Sequence, residues 1–561
     1  MHEFWERCGL TSWPGGDSIA AMKLASIARS AKVTLAVQDI YDRPKLGMLS
    51  QALEKVAPRA EAELAVIEPF SLLPSDFMSD IEALRSTAAK QCSVKPAEVL
   101  DVYPCTPTQQ ALIDRTLKSP GAFWLHNVFE MPPSLDAARL ETAWQRIVEA
   151  HDILRTRIYA HSERYLQVVL QKPNALRHIT VYSLQRYCTA NLLQPLKYGE
   201  PLMRAAVLTE AVSNDFANKR YLVVTFHHSV YDIPSLAKIF TELEHEYGAI
   251  AAPDALAKPT DKIQEVSYKH FVKALLDQDR ALVEDFWKKY LLGTKTTPFV
   301  DPPTEEAKVN RVLRHKIPLA ATMSQKGSGS SNVTHAVLAY AALGLALHRQ
   351  LASPDTVLRL VSMGRTAAVP DIAEIVGPTL TWVPLRMTVN DAEMSLQDYL
   401  THVTAQARRS VPYEQIGWKD IGKMHSDAEK ACAAATQVVL HPYDPYSEQL
   451  AGGLGLRRRE LSAFSDDGVP VTVDIALIMK NKALESLSTR IIFDDRVVSE
   501  ESVRWLMIDF EIITQAISKA LANRAASPSV QEILQECDSK AVQEKVAKHM
   551  VVERIEDRFS N

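Results

Sequence analysis

The chain has 561 residues, 47% hydrophobic and 23% charged, with a formal net charge of -5. That composition excludes disordered and fibrous classes, and the slightly acidic balance gives no electrostatic case for nucleic acid. The length calls for three or four units of about 100–200 residues each.

Six cysteines (Cys8, Cys92, Cys105, Cys188, Cys432, Cys537) lie far apart with no C-x-x-C pair. This argues against a zinc site or a disulfide framework and for reduced thiols in a cytoplasmic protein. The opening MHEFWERCGLTSWPGGDSI lacks the basic-then-apolar order of a secretory signal. The longest apolar run, Val337 to Leu347, is too short to cross a bilayer, so no membrane association is expected. Most histidines are scattered without metal-ligand spacing, and no metal is expected.

In chain order, Ser18 to Ala52 reads as a small helical unit, with IAAMKLASIARSA at helical spacing. EKVAPRAEAELAVIEPFSLLP, with prolines near both ends, reads as a linker. A further helix falls near Asp80 to Gln91. From DVYPCTPTQQALI onward, helical patterns (ARLETAWQRIVEAHDIL) mix with strand patterns (YLQVVLQ, YLVVTF). From about Leu282 the mixture returns: RVLRHKIPL as a strand, THAVLAYAALGLALHRQ as a helix, then DTVLRLVSMG and TWVPLRMTV as strands. Two α/β lobes follow, whose junction is the natural place for a cleft. KGSGSSN, Lys326 to Asn332, reads as a connection without phosphate-loop spacing. Arg457 to Arg459 reads as a solvated hairpin edge or a docking patch for an acidic group. The charged tail from about Ala526 is expected to be a peripheral helix or frayed end.

FHHSVYDIPSL, Phe226 to Leu236, carries the chemistry. YLVVTF is β-branched and aromatic and reads as a buried strand ending near Phe226. LAKIFTELEHEY has helical spacing from Leu236, with Ser235 and Pro234 as start signals. His227 and His228 therefore sit on a strand-to-helix turn. A neutral imidazole there can remove a proton from an attacking amine or hydroxyl; the alternative is a strand end whose histidines only satisfy backbone groups. Asp232, at the foot of the helix, suits an ion pair with an arginine from elsewhere better than proton transfer. Backbone N–H groups at the helix start are candidates for an oxyanion.

HHSVYDIPSL resembles the H-H-x-x-x-D-G motif of condensation domains in nonribosomal peptide synthetases, with Ile233 in place of the motif glycine. YPCTPTQQAL, from Tyr103, resembles the family's opening motif in its fungal form. HDILRTRI (His151 to Ile158), GRTAAVPDIAEIVGPTLTWVPLRMTV (from Gly364) and VPYEQIG (from Val411) are similar to later motifs, in the family's order. The resemblance spans roughly Asp101 to Ala525. Upstream, GGDSIAAMKL resembles the attachment motif of a peptidyl carrier domain; a serine starting a helix is otherwise a cap.

The resemblance implies a mixed α/β, chloramphenicol-acetyltransferase-like fold, two lobes in a V around a central tunnel. It divides the chain into a truncated carrier (1–55), a linker (56–95), an N-lobe (96–280), a C-lobe (281–525) and a tail (526–561). It implies His228, with His227, as the catalytic pair, and Asp232, Arg365 and Arg155 as supports of the same loop. Ser18 would carry covalent 4'-phosphopantetheine, with Asp17 beside it. The implied partners are upstream synthetase modules or carrier domains and a peptidyl or acyl thioester. The implied reaction forms an amide or ester at a terminal release or cyclisation step. A catalytically impaired module that binds carriers, and an acyltransferase using a soluble thioester such as that of coenzyme A, are the alternatives.

Overall fold

The computed structural model describes residues 66–555 except 162–163, 173, 212–218, 252–265, 302–306, 320–332, 366, 368, 370, 390, 392, 442–451, 460–467, 481–482 and 524–526, together with Ile40 and Met48. The carrier-like segment, with Ser18 and Asp17, and the KGSGSSN connection lie outside the described residues.

Helix α1 (Ile81–Gln91) leads to β1 (Val99–Pro104), α2 (Pro107–Lys118), β2 (Trp124–Glu130) and α3 (Ala137–Ala150). There follow β3 (Thr156–His161), β4 (Arg164–Leu170), β5 (Arg177–Val181), α4 (Leu184–Leu192), β6 (Met203–Glu210), β7 (Lys219–His227) and α5 (Ile233–Ala251). Helix α6 (Tyr268–Leu276) still packs in the core of the first half, through Tyr268, Phe271 and Val272, and α7 (Arg280–Leu291) opens the second half. It continues with β8 (Arg311–Pro318), α8 (His335–Leu351), β9 (Asp355–Ser362), β10 (Thr381–Thr388), α9 (Leu396–Ser410), α10 (Trp418–Gly422) and α11 (Ser426–Ala434). Strands β11 (Thr436–His441), β12 (Arg457–Arg459), β13 (Val471–Lys480) and β14 (Ala483–Phe493) precede α12 (Glu500–Ala522), α13 (Val530–Gln535), α14 (Lys540–Ala547) and β15 (Val551–Arg554).

Each half is built on its own sheet. The first has the order β12-β2-β7-β6-β5 and the second β10-β9-β11-β13-β14-β8-β15, while β1-β4-β3 forms a smaller third sheet. β7 is central and buried on both faces, which is why Tyr221 to Phe226 is a continuously buried, largely apolar run rather than an alternating one. Helices α3 and α5 pack together and close one face of that sheet. Each fully buried Leu, Val or Phe there stabilises by about 1.5–3 kcal/mol. In the second half α8, α9 and α12 form the matching layer.

From Val66 onward, the stretch assigned to a linker is folded: α1, capped by Asp80, packs with Phe70 and Leu73 on the three-stranded sheet. Its entry is fixed by Lys269 Nζ, which bonds Asp101 Oδ2 at 2.5 Å and the carbonyls of Ile67 and Glu68. The tail is not peripheral. Val530, Ile533, Cys537, Val546 and Met550 are buried in the core of the second half, and β15 adds an edge strand to β8. Arg457 to Arg459 is not a hairpin edge; as β12 it crosses between halves and pairs with β2, the register placing Arg458 opposite Phe129.

Candidate active site

β7 ends at His227, and α5 begins at Ile233. The helix therefore starts three residues earlier than its apolar spacing indicates, and Asp232, not Ser235, receives the cap: Asp232 Oδ1 accepts the Ser235 amide at 2.9 Å. Because Pro234 has no N–H and that of Ser235 is committed to Asp232, the expectation of an oxyanion site at the helix start is reduced to the Ile233 amide. Ile233 itself has an ordinary negative φ and packs against the core of the first half, so the turn does not need glycine there.

The two histidines have different surroundings. His227 is fully buried. Its Nδ1 accepts the Ser229 amide at 3.2 Å and faces the Ser229 hydroxyl at 2.7 Å; Nε2 then carries the proton and donates to Thr116 Oγ1 at 2.7 Å. Burial, then the neighbouring charges of His228 and Arg204, push its pKa down to about 3. His227 is thus buried, neutral and held through both ring nitrogens. His228 is half-buried. Its Nδ1 donates to the Tyr231 carbonyl at 2.9 Å, and a carbonyl can only accept, so the basic lone pair is on Nε2. Nε2 has no hydrogen-bond partner among the described residues. The ring stacks on Tyr231, with centroids 4.6 Å apart and planes 14° apart, and the His228 amide donates to the Phe123 carbonyl at 2.8 Å.

Asp232 and Arg365 meet from opposite halves: Oδ1 lies 2.6 Å from Nη2, with both side chains buried. Thr379 donates its amide and hydroxyl to Oδ2 at 3.3 and 3.1 Å. Arg365 Nη1 spans the carbonyls of Ile372, Ala373 and Ile375. The preceding residue has to be glycine: Gly364 has φ 65, and a Cβ there would sit 1.8 Å from the Thr379 carbonyl oxygen. Arg155 does not join this network. Its guanidinium donates to the Leu170 carbonyl at 2.5 Å, to the Glu149 carbonyl at 3.3 Å and to Asp152, tying the end of α3 to β4.

Gln109 Nε2 donates to the Ser229 carbonyl and to Gln167 Oε1, both at 2.9 Å. It sits in the capping box of α2, Thr106-x-x-Gln109, whose spacing is the signal that marks it. His151 Nε2 lies 2.6 Å from Glu242 Oε2 and holds α5 from behind.

A two-lobed α/β chain with this histidine turn at the junction has the architecture of chloramphenicol-acetyltransferase-like acyltransferases. Residues 99–482 match the Condensation domain family, and the chain belongs to it. It is 32% identical over 475 residues to nonribosomal peptide synthetase GRA1 of Gibberella zeae, covering 83% of this chain and 6% of that protein. It is also 32% identical over 433 residues to nonribosomal peptide synthetase 6 of Cochliobolus heterostrophus, covering 76% and 23%. The chain thus spans well under two thirds of these relatives' length. Among solved structures, it resembles the crystal structure of CT (TM-score 0.62, 22% identity, 82% of this chain and 99% of that one). It also resembles the X-domain in complex with OxyB from teicoplanin biosynthesis (TM-score 0.58, 15% identity, 77% and 95%). At these identities the structural likeness concerns the fold.

Proposed function

We propose that the chain is a condensation-type acyltransferase that forms an amide or ester from a carrier-bound thioester, at a release or cyclisation step. His228 is the base, taking the proton of the attacking amine or hydroxyl on Nε2. The single observation that carries this is the fixed tautomer: Nδ1–H is spent on the Tyr231 carbonyl while Nε2 has no hydrogen-bond partner among the described residues. His227 and the Asp232–Arg365 pair hold the turn in place. Tethered delivery makes the reaction effectively intramolecular, so positioning supplies much of the acceleration and the base has a modest task.

The conformation of Ile233 supports the catalytic reading over the impaired one. The carrier-like motif upstream, with Ser18 as the site of phosphopantetheine and Asp17 beside it, supports a tethered over a soluble thioester. The test treats the full chain with a phosphopantetheinyl transferase and measures intact mass. A gain of one phosphopantetheinyl group, absent in Ser18→Ala, is expected. No gain, combined with turnover of a free coenzyme A thioester, contradicts the reading.

A further inference from the structure

The loop between α2 and β2 holds an anomaly that the proposed chemistry does not use. Gly121 and Phe123 both have left-handed backbones, φ 91 and φ 58. Glycine adopts this freely, whereas a bulky aromatic residue adopts it only where its surroundings over-determine it. Four contacts do so. The Phe123 carbonyl accepts the His228 amide at 2.8 Å, and the Ala122 amide donates to the Ser119 carbonyl at 3.1 Å. The Thr116 hydroxyl lies 3.0 Å from the Ala122 carbonyl. The Phe123 ring is buried with Leu112, Ala122 and Trp382.

That ring has two neighbours of different kinds. Its centroid lies 6.4 Å from the His228 imidazole, edge-on at 76°, and 6.4 Å from Trp382. Trp382 is fixed in turn, since the Arg359 guanidinium sits 4.9 Å from its ring and 4.8 Å from that of Trp418. Trp382, Trp418 and Ala111 line a cavity of about 720 Å³ between the halves, whose wall includes neither Phe123 nor His228. Ala111 and Trp418 also pack against the Phe123 cluster.

From this geometry we infer that Phe123 is a positioning and specificity-determining residue. Its carbonyl sets the backbone of His228, and its ring is the inner layer of the partition between the imidazole and the inter-lobe cavity, whose outer layer is Trp382 and Ala111. The bulk of the side chain at 123 then sets how large an acyl group can reach Nε2 from the cavity side; this second part rests on the acyl-transfer reading above.

The test uses the full chain as wild type, Phe123→Ala, Phe123→Gly and Phe123→Leu, each checked for native circular dichroism. Diethyl pyrocarbonate is the probe, with carbethoxylation of His228 followed by peptide mass and exposed His245 as the internal control. Faster modification of His228 in the Ala and Gly variants is expected, with Leu close to wild type and His245 unchanged. An unchanged His228 rate in both, or a rise shared by His245, overturns the partition. With carriers loaded with acetyl or naphthylacetyl groups, the Ala variant is expected to shift the rate ratio toward the bulky group by about tenfold. An unchanged ratio with active enzyme overturns the specificity role. Faster modification of His228 without product from either thioester counts against the acyl-transfer reading and leaves the partition supported.

Discussion

Asp232 Oδ1 and Arg365 Nη2 stand 2.6 Å apart, and each belongs to a different half of the molecule. With side chains 4% and 3% exposed, neither charge can be left alone cheaply. Removing one partner of a buried, hydrogen-bonded pair costs about 3–5 kcal/mol, whereas replacing both by apolar residues of similar volume is far less costly. Asp232→Ala and Arg365→Ala should each lower the unfolding midpoint in guanidinium, and Asp232→Leu with Arg365→Met should recover part of the loss, the Ser235 and Thr379 donors and the Ile372, Ala373 and Ile375 carbonyls staying unpaired. Additive losses in the double variant would contradict a direct pair.

Stability should fall in mild acid through two buried imidazoles. His227 is pushed down to about 3 by burial, then by the His228 and Arg204 charges. His126 is pushed down to about 4 by burial, then by the Arg204 charge, against the hydrogen bond to the Cys188 carbonyl. Both are neutral when folded and become charged near pH 6.5 when unfolded, so the unfolded chain binds more protons in that window. Their contribution is fully present above about pH 6.5 and is lost as the pH falls toward 4 and 3, by about 1.4 kcal/mol per pH unit for each proton. His227→Gln should flatten the dependence of the thermal midpoint between pH 4 and 6.5. An unchanged slope would show that His227 is protonated in the folded protein.

Gln109 is expected to matter without touching substrate. Gln109→Leu leaves the Ser229 carbonyl and Gln167 Oε1 without its two N–H donors, at about 1–3 kcal/mol for a buried unsatisfied group. Thermal unfolding should show the loss, and the rate of product formation should fall because the His227–Ser229 turn loosens. Full stability and full rate in this variant would remove Gln109 from the site's support.

The C-terminal segment is expected to be indispensable. Deleting residues 527–561 uncovers the core that Val530, Ile533, Cys537, Val546 and Met550 close, at about 1.5–3 kcal/mol for each large apolar side chain exposed. Its surface ion pairs, Arg349 with Asp538 and Arg314 with Glu553, contribute little by comparison. A truncated chain with an unchanged thermal midpoint would contradict this packing.

What local pattern encodes was legible in the sequence. β7, β8, β9, β10, α3 and α8 lie where their apolar periods put them, and the histidine turn follows from a strand period meeting a helical one. Long-range pairing was less legible. Gln109 reaches Ser229 across 120 residues, and nothing local in TPTQQAL specifies that partner. Arg155 went to carbonyls and an aspartate of its own neighbourhood, because a guanidinium so close to Asp152 and the end of β4 finds acceptors there first. β15 is short and mostly exposed on the edge of its sheet, so VVER shows no buried face by which a strand could be told from a charged helix. The start of α5 was displaced because Asp232 both caps the helix and holds Arg365, a tertiary demand that helical spacing alone does not register.

The most direct test of the central claim is single-turnover product formation from a loaded carrier by His228→Ala, beside the wild type and with thermal stability measured in parallel. A base at this position contributes about 10²–10⁴-fold. A loss of that size with the unfolding midpoint unchanged is expected. A variant that keeps its fold and turns over at the wild-type rate would contradict it.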